Sequence, residues 1–280
     1  MSCLFLSDLY SDQINGGAEN NDAVLIQHLR DKGVELECRS TQDITPAEIG
    51  KFSCTILSNF ILLSEEAKAY LTNNCQYIIY EHDHKYVVNR DPSKFVEFKA
   101  PENHIVNREL YTNASQVVVL SEVCKSVLEK NLGIENVHSI GTSLWSTKKF
   151  KFLKHLSKAT TKTKDLAILN SANPTKGMIA AVNFCNTKGL SPDLISSGDQ
   201  YEFLETLSHY KTLLFIPQVL ETFSRLVAEA KMLNCEVQTK KKLIGFMSEP
   251  YSDQAGQELI ETLEKKVEEA LDHFYRLVVK

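Results

Sequence analysis

Two acidic side chains at helical spacing are the residues of this chain best suited to chemistry. Glu221 and Glu229 stand eight positions apart, and at about 100° per residue this spacing puts both on nearly the same face of one helix. The apolar run 213–216 before them predicts a buried strand, and Pro217 follows it in a turn. A strand leading through a turn to acids is typical of ligand sites at the carboxyl edge of a parallel sheet. Such acids could hydrogen-bond the hydroxyls of a sugar or a ribose.

A glycine-bearing loop follows the first predicted strand. Asn15 precedes Gly16, Gly17, Ala18 and Glu19, and a helix is predicted from there. Glycines let the backbone approach a ligand closely, and a helix N-terminus favours an anion. The full Gly-x-Gly-x-x-Gly pattern is missing, which argues against a simple dinucleotide dehydrogenase. An ordinary turn before a helix is the alternative interpretation.

A cluster of ionisable groups occupies residues 80–86, directly after the apolar run that predicts the fourth strand. So many adjacent ionisable groups exceed what packing requires, so we expect His82 and Asp83 to have a function. Zinc is an alternative, since His82 and His84 share one face of an extended segment, and a plain surface loop is another. We favour a site without metal because the sequence offers no further well-placed Cys or His.

A lysine at a predicted helix start is the third candidate. Lys176 and Gly177 follow the first predicted strand of the second half of the chain. A cation there adds to the positive end of the helix dipole, and both attract phosphate. The alternative is a solvated lysine.

Together these motifs resemble retaining glycosyltransferases with the two-domain GT-B fold, above all glycosyltransferase family 4. The resemblance is carried by the Glu-x7-Glu spacing with Thr-Phe directly after the first acid, by Gly-Gly-Ala-Glu, by the His-Asp loop and by Lys-Gly. It implies a nucleoside-diphosphate sugar as co-substrate, with no cofactor and no metal. The family usually has an Arg shortly before Lys-Gly, where this chain has Ser, Ala or Asn. Lys176 would therefore bind more of the diphosphate, helped by Arg225.

The resemblance also implies a role for each residue. His82, Asp83 and Glu221 would be catalytic, and Glu229 would hold the nucleotide ribose. Transfer would retain the anomeric configuration by front-face attack on the donor sugar. The donor-binding residues would be Gly16, Gly17, Lys176, Gly177, Thr222, Phe223, Arg225 and Glu229.

The elements that must position these residues alternate between strand and helix. This alternation predicts an α/β protein with a parallel sheet in each half. By the resemblance, the halves are two Rossmann-like domains facing a central cleft, as in GT-B. Apolar runs predict ten strands, at residues 3–6, 34–38, 54–57, 77–80, 117–120, 137–140, 166–169, 194–195, 213–216 and 237–239.

A segment rich in Lys, Ser and Thr interrupts the alternation and predicts a domain boundary. We expect an acceptor-side domain at residues 1–146, a linker with a small helix at 147–164, and a donor-binding domain at 165–256. Residues 257–280 have an apolar stripe at helical spacing, which predicts one long helix. This helix could pack back on the first domain.

Composition narrows the class of partner. The 280 residues have a formal net charge of −5 and a pI near 5.9, which gives no global basic field for nucleic acid or membrane. No run approaches the roughly 18 apolar residues of a membrane span, and the first residues do not form a signal peptide. Seven scattered cysteines without a Cys-x-x-Cys pair are interpreted as reduced core residues of a cytoplasmic protein.

The leading hypothesis is a transferase acting on a glycan or another hydroxyl acceptor, similar to short virus- or phage-type family members. One alternative is a phage-type DNA glycosyltransferase, in which lysines of 148–164 and 240–242 would follow the phosphates of the nucleic acid. The others are a non-catalytic sugar-nucleotide or carbohydrate binder on the same scaffold, and a sugar-nucleotide epimerase. The sequence identifies neither the acceptor nor the oligomeric state, and does not distinguish UDP from GDP or ADP.

Overall fold

The computed structural model describes residues 2–14 and 16–280, so Asn15 of the glycine loop lies outside the described residues. The chain forms two compact units. The first extends to Trp145 and takes in Lys266–Lys280, and the second is Ser146–Lys265. Residues 147–164, where a linker is predicted, contain a helix and the start of a strand, and they belong to the second unit.

A parallel sheet builds the first unit, and its six strands within the described residues have the order β2-β1-β3-β4-β5-β6. The chain goes from β1 to one side and returns to β3 on the other, so the loops after these strands diverge there. The strands are β1 Ser2–Ser7, β2 Glu35–Ser40, β3 Cys54–Leu57, β4 Tyr77–Tyr80, β5 Gln116–Val119 and β6 Val137–Ser139. The helices are α1 Gly17–Asp31, α2 Pro46–Ile49, α3 Glu65–Asn74, α4 Arg108–Thr112 and α5 Glu122–Leu132.

The second unit repeats this plan with four parallel strands among the described residues, in the order β10-β9-β7-β8. Here the loops after β7 and β9 diverge. The strands are β7 Lys164–Leu169, β8 Asp193–Ile195, β9 Tyr210–Phe215 and β10 Glu236–Thr239. The helices are α6 Thr147–Ala159, α7 Met178–Lys188, α8 Gln200–Ser208 and α9 Arg225–Met232, and α10 Gly256–Val278 begins in this unit.

The core of each unit explains why these sequences form these elements. Strands β3 and β4 are buried along their whole length, as expected for a parallel sheet covered on both faces. In the second unit, Ala181 and Cys185 of α7 pack on Ile168 and Leu214 of neighbouring strands. The small side chains of α7 let the helix lie close to the sheet and fix the loop that precedes it.

The last turns of α10 belong to the first unit. Phe274 is fully buried and meets Tyr80 of β4 edge-on, with the ring centroids 4.8 Å apart. His273 stacks on His138 of β6 at 3.9 Å, and its Nε2 lies 2.6 Å from Oε1 of Gln116. The C-terminal helix is therefore tied to the first sheet by one aromatic anchor and one histidine pair.

The predicted alternation is confirmed at the level of elements. All ten predicted strands are present among the described residues, and α4 and α8 are helices that the sequence analysis did not predict. The prediction that one helix carries both acids is wrong, since α9 begins at Arg225, after Glu221. No helix within the described ranges is long and apolar enough to cross a membrane.

Candidate functional site

The loops after β7 and β9 meet at the carboxyl edge of the second sheet. The backbone N–H of Gln218 donates to the carbonyl of Thr175 at 2.8 Å. Gly177 ends the first loop with φ at +68°, and a Cβ there would lie 1.7 Å from the carbonyl oxygen of Ile216. Only glycine allows this approach. Gly177 thus holds the two loops together at the point where ligands bind in sheets of this kind.

Lys176 and Glu221, two residues singled out by the sequence, form an ion pair at this point. The Nζ of Lys176 lies 2.8 Å from Oε1 of Glu221, with the lysine side chain 35% and the glutamate 12% exposed. One residue comes from the loop after β7 and the other from the loop after β9. The pair therefore places a cation and a half-buried carboxylate at the diverging loops of the second sheet.

Glu221 is held by its backbone in an extended segment. Its N–H donates to the carbonyl of Leu243 at 2.9 Å, and its own carbonyl accepts from the N–H of Gly245 at 2.9 Å. This parallel bridge with Ile244 uses the groups that a helical ladder would need, which is why the helix cannot start at Glu221. The correction changes the geometry of the acids: Glu221 lies in the loop before α9, and only Glu229 lies on the helix.

Arg225 and Glu229 form a second, longer pair on α9. The Nη2 of Arg225 lies 3.7 Å from Oε1 of Glu229, one helical turn away, and both side chains are largely buried. The two predicted donor-binding residues thus share one face at the start of α9. Lys149 of α6 lies near this face, is 4% exposed, and hydrogen-bonds Oε1 of Gln200 at 3.1 Å. Burial lowers the pKa of Lys149, although Glu229 opposes that shift.

Thr222 and Phe223, both predicted to bind the donor, differ in burial. Thr222 is half-buried, whereas Phe223 is 1% exposed and packs edge-on against Phe246, with the centroids 5.5 Å apart. The Phe223 side chain therefore has a packing role, and contact with a ligand through its backbone stays a prediction.

A cavity of about 370 Å³ opens beside the same loops. Its lining combines hydroxyl and amide groups with the apolar side chains of the first turn of α7, and it includes Ser171, Asn173, Gly177, Met178, Asn183 and Gln218. The second unit therefore offers space as well as charge at this edge.

In the first unit, His82 is oriented by a buried carboxylate. Its Nε2 lies 3.2 Å from Oδ1 of Asp22, and the Oγ of Ser58 donates to both oxygens of that carboxylate, at 2.8 and 2.7 Å. Asp22 lies on α1 and Ser58 follows β3, so they meet where the loops of the first sheet diverge. His82 is 8% exposed and Asp22 is fully buried. An imidazole held by a carboxylate has its ring orientation and tautomer fixed.

Asp83 is engaged in ion pairs that hold its own loop. Its carboxylate lies 2.7 Å from Nζ of Lys85 and 2.9 Å from Nη1 of Arg90, and Lys85 also lies 2.9 Å from Glu81. Burial disfavours the Asp83 carboxylate, but Lys85 and then Arg90 and His82 outweigh it and lower its pKa to about 2. Asp83 is therefore ionised throughout the physiological pH range and paired.

The contacts of His84, the second histidine of the loop, indicate a structural role. Its Nδ1 lies 3.0 Å from the hydroxyl of Tyr86, and its Nε2 lies 4.0 Å from the Sγ of Cys124. His82 and His84 thus have different partners, and the described residues contain no group of three His, Cys, Asp or Glu side chains placed to hold a metal ion.

Gly16 and Gly17 lie at the start of α1, beside a buried acid. Gly16 is the N-cap residue, and a Cβ there would meet Oε2 of Glu19 at 2.1 Å. Burial raises the pKa of Glu19, and the nearby Asp22 adds to the rise. The first turn of α1 therefore carries an acid with a raised pKa, next to the Asp22–His82 pair.

Sequence reasoning missed two residues of these sites. Asp22 stands three residues before Leu25 and seven before Leu29, so an acid on the apolar face of α1 was the signal. Lys149 stands four residues before Leu153 and seven before Leu156, on the buried face of α6. Lys149 falls within the lysine-rich stretch 148–164 that was interpreted as a basic stripe, although its helical position predicts burial.

Several solved structures share the fold. The Anabaena protein Alr3699/HepE in complex with UDP is similar with a TM-score of 0.57 and 12% identity, over 98% of this chain and 100% of that chain. An alpha-glucosyltransferase in complex with UDP-glucose and DNA containing an abasic site has a TM-score of 0.54 and 10% identity, over 99% of both chains. AviGT4, a glycosyltransferase involved in Avilamycin A biosynthesis, has a TM-score of 0.52 and 12% identity, over 100% of this chain and 92% of that one.

No protein-family model and no curated protein matches the chain. Identities this low show the fold alone. They confirm the predicted α/β architecture of GT-B type, built from two Rossmann-like parallel sheets.

Proposed function

We propose that this chain is a glycosyltransferase that moves a sugar from a UDP-sugar to an acceptor hydroxyl. The observation that carries the proposal is the Lys176–Glu221 ion pair, 2.8 Å long, where the loops of the second sheet diverge. A cation for phosphate and a carboxylate for sugar hydroxyls meet there, on a fold shared with proteins solved with UDP or UDP-glucose. Those neighbours favour UDP over GDP and ADP.

We assign donor binding to the second unit. Lys176 and Arg225 bind the diphosphate, Glu221 contacts the donor sugar and Glu229 holds the ribose. Gly177 brings the loops together, and Thr222 and the backbone of Phe223 line the donor site. These roles are supported by the two ion pairs and by the cavity beside Gly177.

In the first unit, His82 acts on the reacting sugar, and Gly16 and Gly17 bring the start of α1 to the substrate. Asp83 fixes the loop that carries His82, because its carboxylate is already paired with Lys85 and Arg90. The chemical task is to stabilise the departing diphosphate and the positive charge on the sugar. Charged side chains that are already in position can do this without having to reorient during the reaction. We propose retention of configuration by front-face attack, with no metal and no cofactor.

The test incubates the chain with UDP-glucose, EDTA and a panel of sugar and alcohol acceptors for the glucosyl group, and it measures the UDP that is released. We expect UDP release from UDP-glucose above background, and no release of GDP or ADP from GDP-glucose or ADP-glucose under the same conditions. Binding of UDP-glucose without any release would contradict catalysis and favour the non-catalytic binder. Turnover that requires added Mn²⁺ or Mg²⁺ would contradict the metal-free mechanism.

A DNA acceptor is the second candidate, because one structural neighbour is an alpha-glucosyltransferase solved with DNA. Lys148, Lys151 and Lys158 of α6 are exposed and would meet phosphates, although the net charge is −5. Binding through phosphates falls steeply with salt. Transfer of labelled glucose to a duplex with hydroxymethylated bases, and not to the same duplex with ordinary bases, would support this acceptor. Equal label on both would exclude it.

A further inference from the structure

Ser224, at the start of α9, has a backbone conformation that serine rarely adopts. Its φ is 69° and its ψ is 84°, in the left-handed region that costs free energy for any residue with a Cβ. Such strain persists where the surrounding structure enforces it, and it is concentrated at ligand sites. Here the carbonyl of Phe223 accepts from the N–H of Phe246 at 2.8 Å, and the carbonyl of Ser224 accepts from the N–H of Ala228 at 3.2 Å. The strained residue is therefore held between an anchored loop and the first turn of α9.

The Ser224 hydroxyl adds a second cost. The residue is 7% exposed, and its Oγ has no hydrogen-bond partner among the described residues. A serine at this position normally caps the helix by accepting from the first turn, but within the described part of the chain Ser224 makes no such bond. A buried hydroxyl without a partner costs free energy that a ligand atom can recover. Glycine would remove both costs.

The charges around Ser224 favour an anion. Backbone N–H groups and the positive end of the dipole converge at a helix N-terminus. The first turn of α9, all of it described, contains no acid and begins with Arg225, a cation where the dipole disfavours one. Three residues before Ser224, the carboxylate of Glu221 is already neutralised by Lys176 at 2.8 Å. An unpaired hydroxyl, a helix N-terminus and the cations Lys176 and Arg225 are the kinds of group that bind a phosphate.

We propose that the Ser224 hydroxyl donates a hydrogen bond to a phosphoryl oxygen of a nucleoside diphosphate bound at the N-terminus of α9. The inference rests on the proposed function and deepens it, because it names the group of this chain that recognises the diphosphate. Binding gives the hydroxyl its missing partner. The strained conformation of Ser224 therefore lowers the stability of the free chain but raises its affinity for the ligand.

The test measures melting temperature and affinity for UDP and for pyrophosphate in the wild type and in Ser224→Ala, Ser224→Gly and Ser208→Ala. We expect Ser224→Gly to melt about 2 °C higher and to bind UDP and pyrophosphate about 10-fold more weakly. Ser224→Ala should show the same loss of affinity with a smaller gain in melting temperature. Ser208 is a buried hydroxyl of the same unit that donates to the carbonyl of Glu205 at 2.6 Å, so its loss should lower the melting temperature and leave affinity unchanged.

The outcomes separate this inference from the proposed function. If UDP binds the wild type and both Ser224 variants equally, the role of Ser224 is overturned while the UDP-sugar proposal stands. If the wild type binds pyrophosphate but not UDP, and the Ser224 variants lose pyrophosphate, the phosphate site stands and the UDP-sugar proposal fails. If the wild type binds neither, both are overturned.

Discussion

At the scale of single residues, the two sites use charge in different ways. Lys176 and Glu221 neutralise each other across 2.8 Å and are part-exposed, so a diphosphate must compete with the carboxylate for the ammonium group. Asp22 and His82 are buried and share one hydrogen bond, so that contact sets the orientation of the ring. By the proposed function, the first arrangement exchanges partners when a diphosphate binds, and the second keeps its geometry.

The exchange of partners predicts opposite effects on binding and turnover in Glu221→Gln. The amide removes the competing charge, so UDP should bind at least as tightly as to the wild type. The donor sugar loses its carboxylate, so kcat should fall about 100-fold. Steady-state kinetics and UDP titration measure the two effects, with Glu264→Gln as control because Glu264 pairs with Lys154 elsewhere in the second unit at 2.6 Å. A kcat near that of the wild type would contradict the role of Glu221.

The hydrogen bond from Asp22 predicts a positioning effect on His82. Asp22→Asn keeps the shape but removes the charge, so kcat should fall about 10-fold, the size of one hydrogen bond to a charged group. The ¹⁵N shifts of the His82 ring should show a mixture of tautomers in the variant and one tautomer in the wild type. A fall in activity with an unchanged tautomer would indicate a purely structural role for Asp22.

At the scale of elements, the candidate sites are built from loops that follow strands. The loops after β7 and β9 are joined through the contact of Gly177 with Ile216 and the bond from Gln218 to Thr175. In the first unit, Asp22 of α1 reaches Ser58 after β3 and His82 after β4. Each sheet thus brings together residues distant in the chain at its carboxyl edge.

Gly177 and Gly189 offer a matched test of this close approach, since they flank α7 with φ of +68° and +65°. A Cβ at Gly189 meets no described atom within 4 Å, whereas one at Gly177 meets the backbone of Ile216. Gly189→Ala should cost about 1 kcal/mol of unfolding free energy, from backbone strain alone. Gly177→Ala should cost about 3 kcal/mol, since the clash is added. Urea unfolding measures both, and equal costs would contradict the contact.

The histidine pair that ties α10 to the first sheet predicts a loss of stability in acid. Burial, then His138 and the cations Arg276 and Lys280, lower the pKa of His273 to about 4 from its ordinary 6.5. The unfolded chain therefore binds the proton more readily, and stability is full above pH 6.5 and falls as the pH drops towards 4.

Melting temperatures between pH 7 and pH 4 measure this effect. His273→Gln should flatten the fall, and His155→Gln, on the exposed part of α6, should leave it unchanged. An unaltered fall in His273→Gln would show that other groups control acid stability.

At the scale of the whole molecule, the sequence predicted the order of elements better than the geometry of the site. Short apolar runs such as 77–80 and 213–216 are buried strands because a parallel sheet covered on both faces needs them. Lys176, Glu221, Arg225 and Glu229 could be proposed as site residues because their types and spacing are local. The ion pairs themselves could not, because Lys176 and Glu221 are 45 residues apart and meet only through the strand order.

Two errors have the same physical origin. The helix placed from Glu221 onward followed residue spacing, but the backbone of Glu221 pairs with residues 243–245, a tertiary contact that overrides helical preference. Asp22 was overlooked because its partners Ser58 and His82 come from two other strand ends. Local patterns indicate the secondary structure and chemistry that a segment favours, and the topology determines which segments come into contact.

The central claim is that a diphosphate of the donor binds through Lys176, and titration of UDP in the presence of EDTA tests it most directly. Lys211 provides the control, because its Nζ is also ion-paired in the second unit, 2.7 Å from Asp165, but is exposed. We expect UDP to bind measurably to the wild type and to Lys211→Ala, and to bind at least about 10-fold more weakly to Lys176→Ala, which loses one charge-assisted contact. UDP binding that is absent in the wild type, or equal in Lys176→Ala, would contradict the claim.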